Sequence, residues 1–313
     1  MLRNRYRTRM RTLSRSMGLL LLLALACNLS PRATLVFTTP QPTGNATPTD
    51  AVATLNAGEP SGRIAFVCQL DKLHNQICVM NADGSGQRVL VPWPTVQSYY
   101  PSFAPDGQSV IFASNRDGEF ELYEVRLTGE ISEIPTVNRE VASPTISPDG
   151  EWILFTIVDL YGFSAIALTP RKGGTVTILY DRDGWDPTWS PDGSRILFAG
   201  RIEGRVQLFI MDRDGTHIQQ VTNLDGVRGR NDWSSKDDLL STYIGEASVY
   251  NRNIYTFGTH GERLTMITNG GDNLAPSFSP DGNWITFMSY RDHFKEKFGC
   301  EIYIMRVDGS DVR

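Results

Sequence analysis

The stretch Ser190-Pro191-Asp192-Gly193-Ser194-Arg195-Ile196-Leu197-Phe198 joins a tight-turn signal to an apolar strand. Its Pro-Asp-Gly core occurs four times, as Pro105-Asp106-Gly107, Pro148-Asp149-Gly150, Pro191-Asp192-Gly193 and Pro280-Asp281-Gly282. The first three copies lie 43 residues apart, and the last gap of 89 leaves room for one degenerate copy at Trp233-Ser234-Ser235. Proline presets φ for the first central position of the turn, Asp tolerates the second, and Gly takes the positive φ that closes the hairpin. A period in the forties made of short strands predicts a β-propeller, an all-β fold of four-stranded blades.

One repeat sets the template. Pro101-Ser102-Phe103 is an inner strand, and Val110 to Ser114 follows the turn as the second. Leu122 to Val125 is the third strand, and Ile131 to Ile134 the outer one. Alternation within these strands places one face of each blade against its neighbour. The template fits again over residues 62–90, 144–179, 187–222, 232–268 and 276–313, which predicts six blades. The first repeat lacks an inner strand, and the chain stops four residues after Asp308-Gly309, before a last outer strand. Either an N-terminal segment completes the ring or the sequence is a fragment.

These residues closely resemble the TolB-type, WD-like repeat, whose hallmark is Ser-Pro-Asp-Gly, Ile-x-Phe-x-Ser, Ile-Tyr-x-Met and Asp-Gly. Ser279-Pro280-Asp281-Gly282 with Ile302-Tyr303-Ile304-Met305 nearly reproduces it. The resemblance covers about 250 residues and implies the fold, while the repeat serves many unrelated tasks. TolB itself carries an α/β domain before its propeller, where this chain has only a spacer.

The N-terminus reads as an export signal. Arg3, Arg5, Arg7, Arg9, Arg11 and Arg15 precede an apolar run, Met17 to Ala26, too short to span a bilayer. Ala24-Leu25-Ala26-Cys27 fits signal peptidase and resembles a bacterial lipobox, with the order of Ala and Leu exchanged. That resemblance implies lipidation of Cys27. The domain plan is therefore a signal peptide over 1–26, a disordered Thr/Pro-rich tether over 27–60, and a propeller over 61–313. Thr34-Leu35-Val36-Phe37 is a possible stray strand on the propeller edge. The expected location is the envelope, membrane-anchored, facing the periplasm or the exterior.

The formal charge is −5, and removing the six N-terminal arginines leaves −11 for residues 27–313. An acidic body excludes nucleic acid as a partner class, because phosphate binding needs clustered Lys and Arg. Catalysis finds little support. There is no Gly-x-Ser-x-Gly elbow of the kind that propeller peptidases carry in an attached hydrolase domain. His74, His217, His260 and His293 occupy non-equivalent positions, so no metal site and no cofactor are expected. Cys68 and Cys78 flank a hairpin and are close enough for a cross-strand disulfide; the alternative is two buried thiols. Cys300 is left over by that count.

Strand order puts the loops between second and third strands, and those leading into each inner strand, on one face, here called the top. Binding residues are expected there: Trp93, Tyr99, Tyr100, Arg116, Trp185, Asp186, Arg230, Asp272 and Arg291. Aromatics interleaved with Arg and Asp suit peptide or glycan recognition. The function expected is a monomeric, non-catalytic binding module for an envelope protein or glycan, in its narrower form a partner of a peptidoglycan-associated lipoprotein. The alternative is a carbohydrate-active or peptidase-related propeller enzyme.

Overall fold

The computed structural model describes residues 58–69, 74–136, 139–246, 250–292 and 300–313, together with the backbone of residues 27–28. The signal peptide, most of the tether, the stray strand at Thr34–Phe37, the side chain of Cys27 and His293 lie outside the described residues. The strands form six sheets in chain order, the blades of one propeller. Blade 2 runs Ser98–Phe103, Ser109–Ser114, Glu121–Arg126 and Ile131–Ile134, each antiparallel to the next. Blades 3, 4 and 5 repeat this plan, beginning with inner strands Glu140–Ile146, Gly184–Trp189 and Asp232–Trp233. Among the described residues blade 6 has three strands, Asn273–Phe278, Trp284–Ser289 and Glu301–Arg306. Blade 1 has Arg63–Gln69, Asn75–Asn81 and Arg88–Val89, with Cys27–Asn28 parallel to its inner edge.

The period-2 pattern is what holds the blades together. Val110 and Phe112 pack with Ile77 and Val79 of blade 1, whereas Ile111 and Ala113 pack with Ile153 and Phe155 of blade 3. Ile196 and Phe198 likewise face Leu154 and Ile166 of blade 3, while Leu197 and Ala199 face Leu240 and Phe257 of blade 5. No blade has a core of its own; the core is the set of seams between them.

The turn residues work as the sequence requires. In Ser-Pro-Asp-Gly the carboxylate accepts from the backbone N–H two residues on, at 3.0 Å in blade 3, 3.0 Å in blade 4 and 3.1 Å in blade 6. The Ser hydroxyl donates to the same carboxylate and accepts the N–H of the next strand's first residue, as Ser190 does with Asp192 and Arg195. Gly193 sits at φ 69°, which only glycine adopts without strain. In blade 5 the degenerate copy still closes, since Ser234 N–H donates to the Leu239 carbonyl at 2.8 Å.

A second repeated device clamps the outer edge. Thr222 Oγ1 donates to Gln207 Oε1 at 2.7 Å and accepts the Leu208 N–H at 2.9 Å. Thr268 does the same with Asn253 and the Ile254 N–H. In blade 1 the backbone is equivalent, Leu90 and Val91 N–H both donating to the Ile77 carbonyl as Val221 and Thr222 do to Leu208. Val91, however, stands in the threonine position, and the buried Gln76 Oε1 has no hydrogen-bond partner.

Contacts between the first and last blades close the ring. Ile302 packs on Phe66, Cys68 and Cys78, and Arg313 forms an ion pair with Glu59 at 2.6 Å. Cys68 and Cys78 are joined in a disulfide with Cα atoms 5.8 Å apart, which decides between the two alternatives. Cys300 is also disulfide-bonded, a correction to the pairing count, and its side chain is wholly buried beside Leu274 and Met288. Arg313 lies beside the third strand of blade 6, where Ile304 and Arg313 exchange N–H to carbonyl bonds at 2.8 and 3.0 Å.

Two outcomes are expected. Val91→Thr supplies the missing clamp and raises the unfolding free energy by about 1 kcal/mol, read as a shift of the urea midpoint at constant slope. The Asp192 carboxyl is held at about 2, first by the Ser190 hydroxyl and then by the Ser194 N–H, against an ordinary value of 3.8. Its stabilisation is therefore complete above the ordinary value and is lost as pH falls from about 4 towards 2. Urea midpoints of Asp192→Asn should drop less steeply than wild type across that window.

Candidate functional site

Four inner strands break their register at the same place, and blade 5 shares the backbone conformation found there. The irregularities fall between Tyr99 and Ser102, Trp185 and Thr188, and Leu274 and Ser277, with a matching break opposite Leu154 and Thr156. At the break a non-glycine residue takes a left-handed conformation: Tyr100 (φ 59°), Ser143 (49°), Asp186 (50°), Arg230 (46°) and Ala275 (49°). Four of these precede a proline, which bars the right-handed helical region to them; in blade 5 Asn231 stands in the proline's place. Each such conformation costs on the order of 1 kcal/mol or more and persists because the surrounding fold imposes it. The five positions ring the propeller axis.

Four of the five side chains meet. Ser143 Oγ donates to Asp186 Oδ1 at 2.5 Å, and Asp186 Oδ2 accepts the Arg230 backbone N–H at 3.0 Å. The Arg230 guanidinium lies 4.2 Å from the centre of the Tyr100 ring. Tyr100 belongs to blade 2 and Arg230 to blade 5, which stand opposite one another in a ring of six. Arg230 therefore spans the channel. Gly229 makes this approach feasible: a Cβ there would lie 2.7 Å from Trp185 Nε1 and 3.1 Å from Asp186 Oδ2. Tyr243 packs at the seam of blades 5 and 6, and burial raises its phenol and that of Tyr100 above the ordinary range.

Two residues further along each inner strand lie Ser102, Thr145, Thr188, Asp232 and Ser277. Asp232 accepts from the Phe278 N–H at 2.7 Å, the Trp233 N–H at 2.9 Å and Ser277 Oγ at 3.0 Å. Burial pushes its carboxyl upward despite these donors.

The remaining sequence candidates are spread around the rim. Arg116 lies over Trp93 at 4.6 Å, and Trp93 packs edge-on against Tyr123. Arg291 is the repeat equivalent of Arg116 and covers Tyr303 at 4.5 Å. Burial, followed by donation of its hydroxyl to Asp292, pushes Tyr303 up to about 12. Tyr99 turns away from the channel and binds Asn75 at 2.8 Å. Trp185 packs at the seam of blades 4 and 5, with Arg201 5.6 Å above its ring. Asp272 is fully buried in a two-pronged pair with Arg252, at 2.7 and 2.5 Å. Tyr100, Asp186 and Arg230 thus come together, and the other six do not join them.

Ser143 and Tyr243 escaped the sequence reading. Aligning the repeats reveals Tyr243, because blades 2 and 4 carry Ala113 and Ala199 at that position. The same face carries an apolar hairpin tip, with Leu160, Tyr161 and Phe163 exposed at 91%, 86% and 63%.

A family model described as the TolB beta propeller domain matches residues 57–237, more than half of the chain. The chain belongs to the TolB β-propeller family. The Tol-Pal system protein TolB of Bordetella pertussis is 32% identical over 154 residues, covering 49% of this chain and 35% of that protein. An uncharacterized protein of Agrobacterium fabrum is 27% identical over 240 residues, 72% of this chain and 78% of that one. The crystal structure of TolB from Acinetobacter baumannii superposes with a TM-score of 0.65 at 21% identity, covering 80% of this chain and 65% of that one. This last likeness concerns the fold alone.

Within this TolB-type propeller, among the described residues, no three His, Cys, Asp or Glu side chains are grouped to hold a metal ion. Nor is any helix among them long and apolar enough to cross a membrane. Arg252→Ala should lower stability by about 3–5 kcal/mol, because it strands the buried Asp272 charge. The double variant Arg252→Met with Asp272→Leu should recover most of that loss in urea unfolding.

Proposed function

We propose that this chain is a non-catalytic recognition module of the bacterial cell envelope that holds an envelope protein at the top mouth of its channel. The observation that carries this reading is the convergence of Tyr100, Ser143, Asp186 and Arg230 from four blades, on backbone conformations that the fold sustains at a cost. A rigid ring holding strained polar side chains around a narrow opening is pre-organised for a ligand, which lowers the entropy lost on binding. The name of the Bordetella relative places that protein in an assembly of envelope proteins, the Tol-Pal system, and supports a protein as the partner here. Residues 1–26 then act as export signal and residues 27–60 as tether, with the propeller acting as a monomer.

The test is capture from envelope extract by the immobilised full chain, followed by mass spectrometry. A specific protein retained by wild type and lost with Tyr100→Ala, at unchanged melting temperature, supports the reading. Retention of glycan alone, with fragments accumulating over time, overturns it in favour of an enzyme.

A further inference from the structure

Cys300 is wholly buried and disulfide-bonded, and its partner follows by elimination. The chain has four cysteines, Cys27, Cys68, Cys78 and Cys300. Cys68 and Cys78 are joined to each other, and no cysteine among the described residues is free. Only Cys27 is left. The backbone agrees. Cys27–Asn28 runs parallel to the inner edge of blade 1, with Cys27 in register with Cys68, and lies against the Glu301–Arg306 strand of blade 6. Paired positions of neighbouring strands share a face of the sheet, so Cys27 takes a register position on the face of blade 1 that carries Cys68. That face meets blade 6, because Ile302 packs on Cys68. Cys300 stands two residues before Ile302, which in extended chain sets both on one side.

We infer that Cys27 and Cys300 form a disulfide that clasps the N-terminal segment and blade 1 to blade 6. The bond falls where apolar packing is thin. Among the described residues the seam of blades 6 and 1 buries Phe66, Cys68 and Cys78, a smaller set than any seam between blades 1 and 5. A cross-link from residue 27 to residue 300 encloses most of the chain, and closing a long loop removes the most freedom from the unfolded state. Formation needs the oxidising compartment to which the export signal leads, and is independent of the recognition role. The two thiols exchange with the disulfide of a thiol oxidoreductase. The Cys27–Cys300 bond forms, the oxidant's bond breaks, and two protons and two electrons leave on its dithiol. A sulfur engaged in a disulfide cannot also carry the thioether of a lipid anchor. Ala24-Leu25-Ala26 therefore serves ordinary signal peptidase, and Cys27 starts the mature chain. Residues 27–60 are then fastened to the propeller at both ends.

The experiment is mass spectrometry of the full chain, produced with its signal peptide in an exporting host and digested with trypsin after alkylation, without reduction. The peptide from Phe298 to Arg306 should run joined to the one ending at Arg32, and reduction should separate them. Trypsin also cuts between Cys68 and Cys78, at Lys72, so that bond gives a distinct pair. In urea, wild type should present no maleimide-reactive thiol, and Cys27→Ser should present one, at Cys300. Cys27→Ser, Cys300→Ser and the double variant should share one lowered urea midpoint under non-reducing conditions, since each removes the same bond. The inference is overturned if the two peptides are separate before reduction, if Cys27 carries an acyl thioether, or if the double variant loses more than either single one. Capture of an envelope protein is read separately, so the recognition role stands or falls on its own.

Discussion

Everything in this molecule depends on strands that are apolar on both faces and covered on neither until another blade arrives. Phe112 and Ile111 are adjacent in the chain, yet one is buried against blade 1 and the other against blade 3. Apolar burial is worth about 25 cal/mol per Å², and here that stabilisation belongs to pairs of blades. Closure of the ring is consequently a condition of stability, because an open end would leave a whole apolar face in water. This gives physical meaning to the Glu59–Arg313 and Phe66–Ile302 contacts that join the last blade to the first.

A rigid ring can sustain local strain at its centre. The left-handed residues at the inner-strand breaks would relax in an isolated hairpin, but each is pinned by two neighbouring blades. The side chains placed there differ from blade to blade, while the backbone is the same five times. The lower turns do the opposite, repeating Pro-Asp-Gly in blades 2, 3, 4 and 6. Uniformity at the periphery and diversity at the axis separate the parts of the repeat that build the fold from the part free to specialise.

That division also explains what was legible in the sequence. The turns and strands repeat in composition, so their period, their faces and the blade count could be read directly from Pro-Asp-Gly and its flanking apolar runs. Tyr100, Asp186 and Arg230 were legible as top-face residues because loop position follows from strand order. Their meeting across the axis was not, since residues 130 apart approach only when the ring closes. Asp272 and Tyr99 illustrate the converse: a polar or aromatic residue near a loop is also what a buried ion pair or an inter-blade hydrogen bond requires. Tyr243 went unnoticed because it lies inside a strand, where an aromatic residue is ordinary, and only comparison with Ala113 and Ala199 marks it out.

Arg230 lying across the axis has a bearing on topology as well as on affinity. A side chain that reaches from blade 5 to the Tyr100 ring of blade 2 sets a bar across the passage between the two faces. Nothing then threads from one side of the disc to the other without first swinging that side chain aside. The turn-bearing face and the loop-bearing face are thereby insulated from one another, free to be occupied together by separate molecules and to be altered separately by mutation.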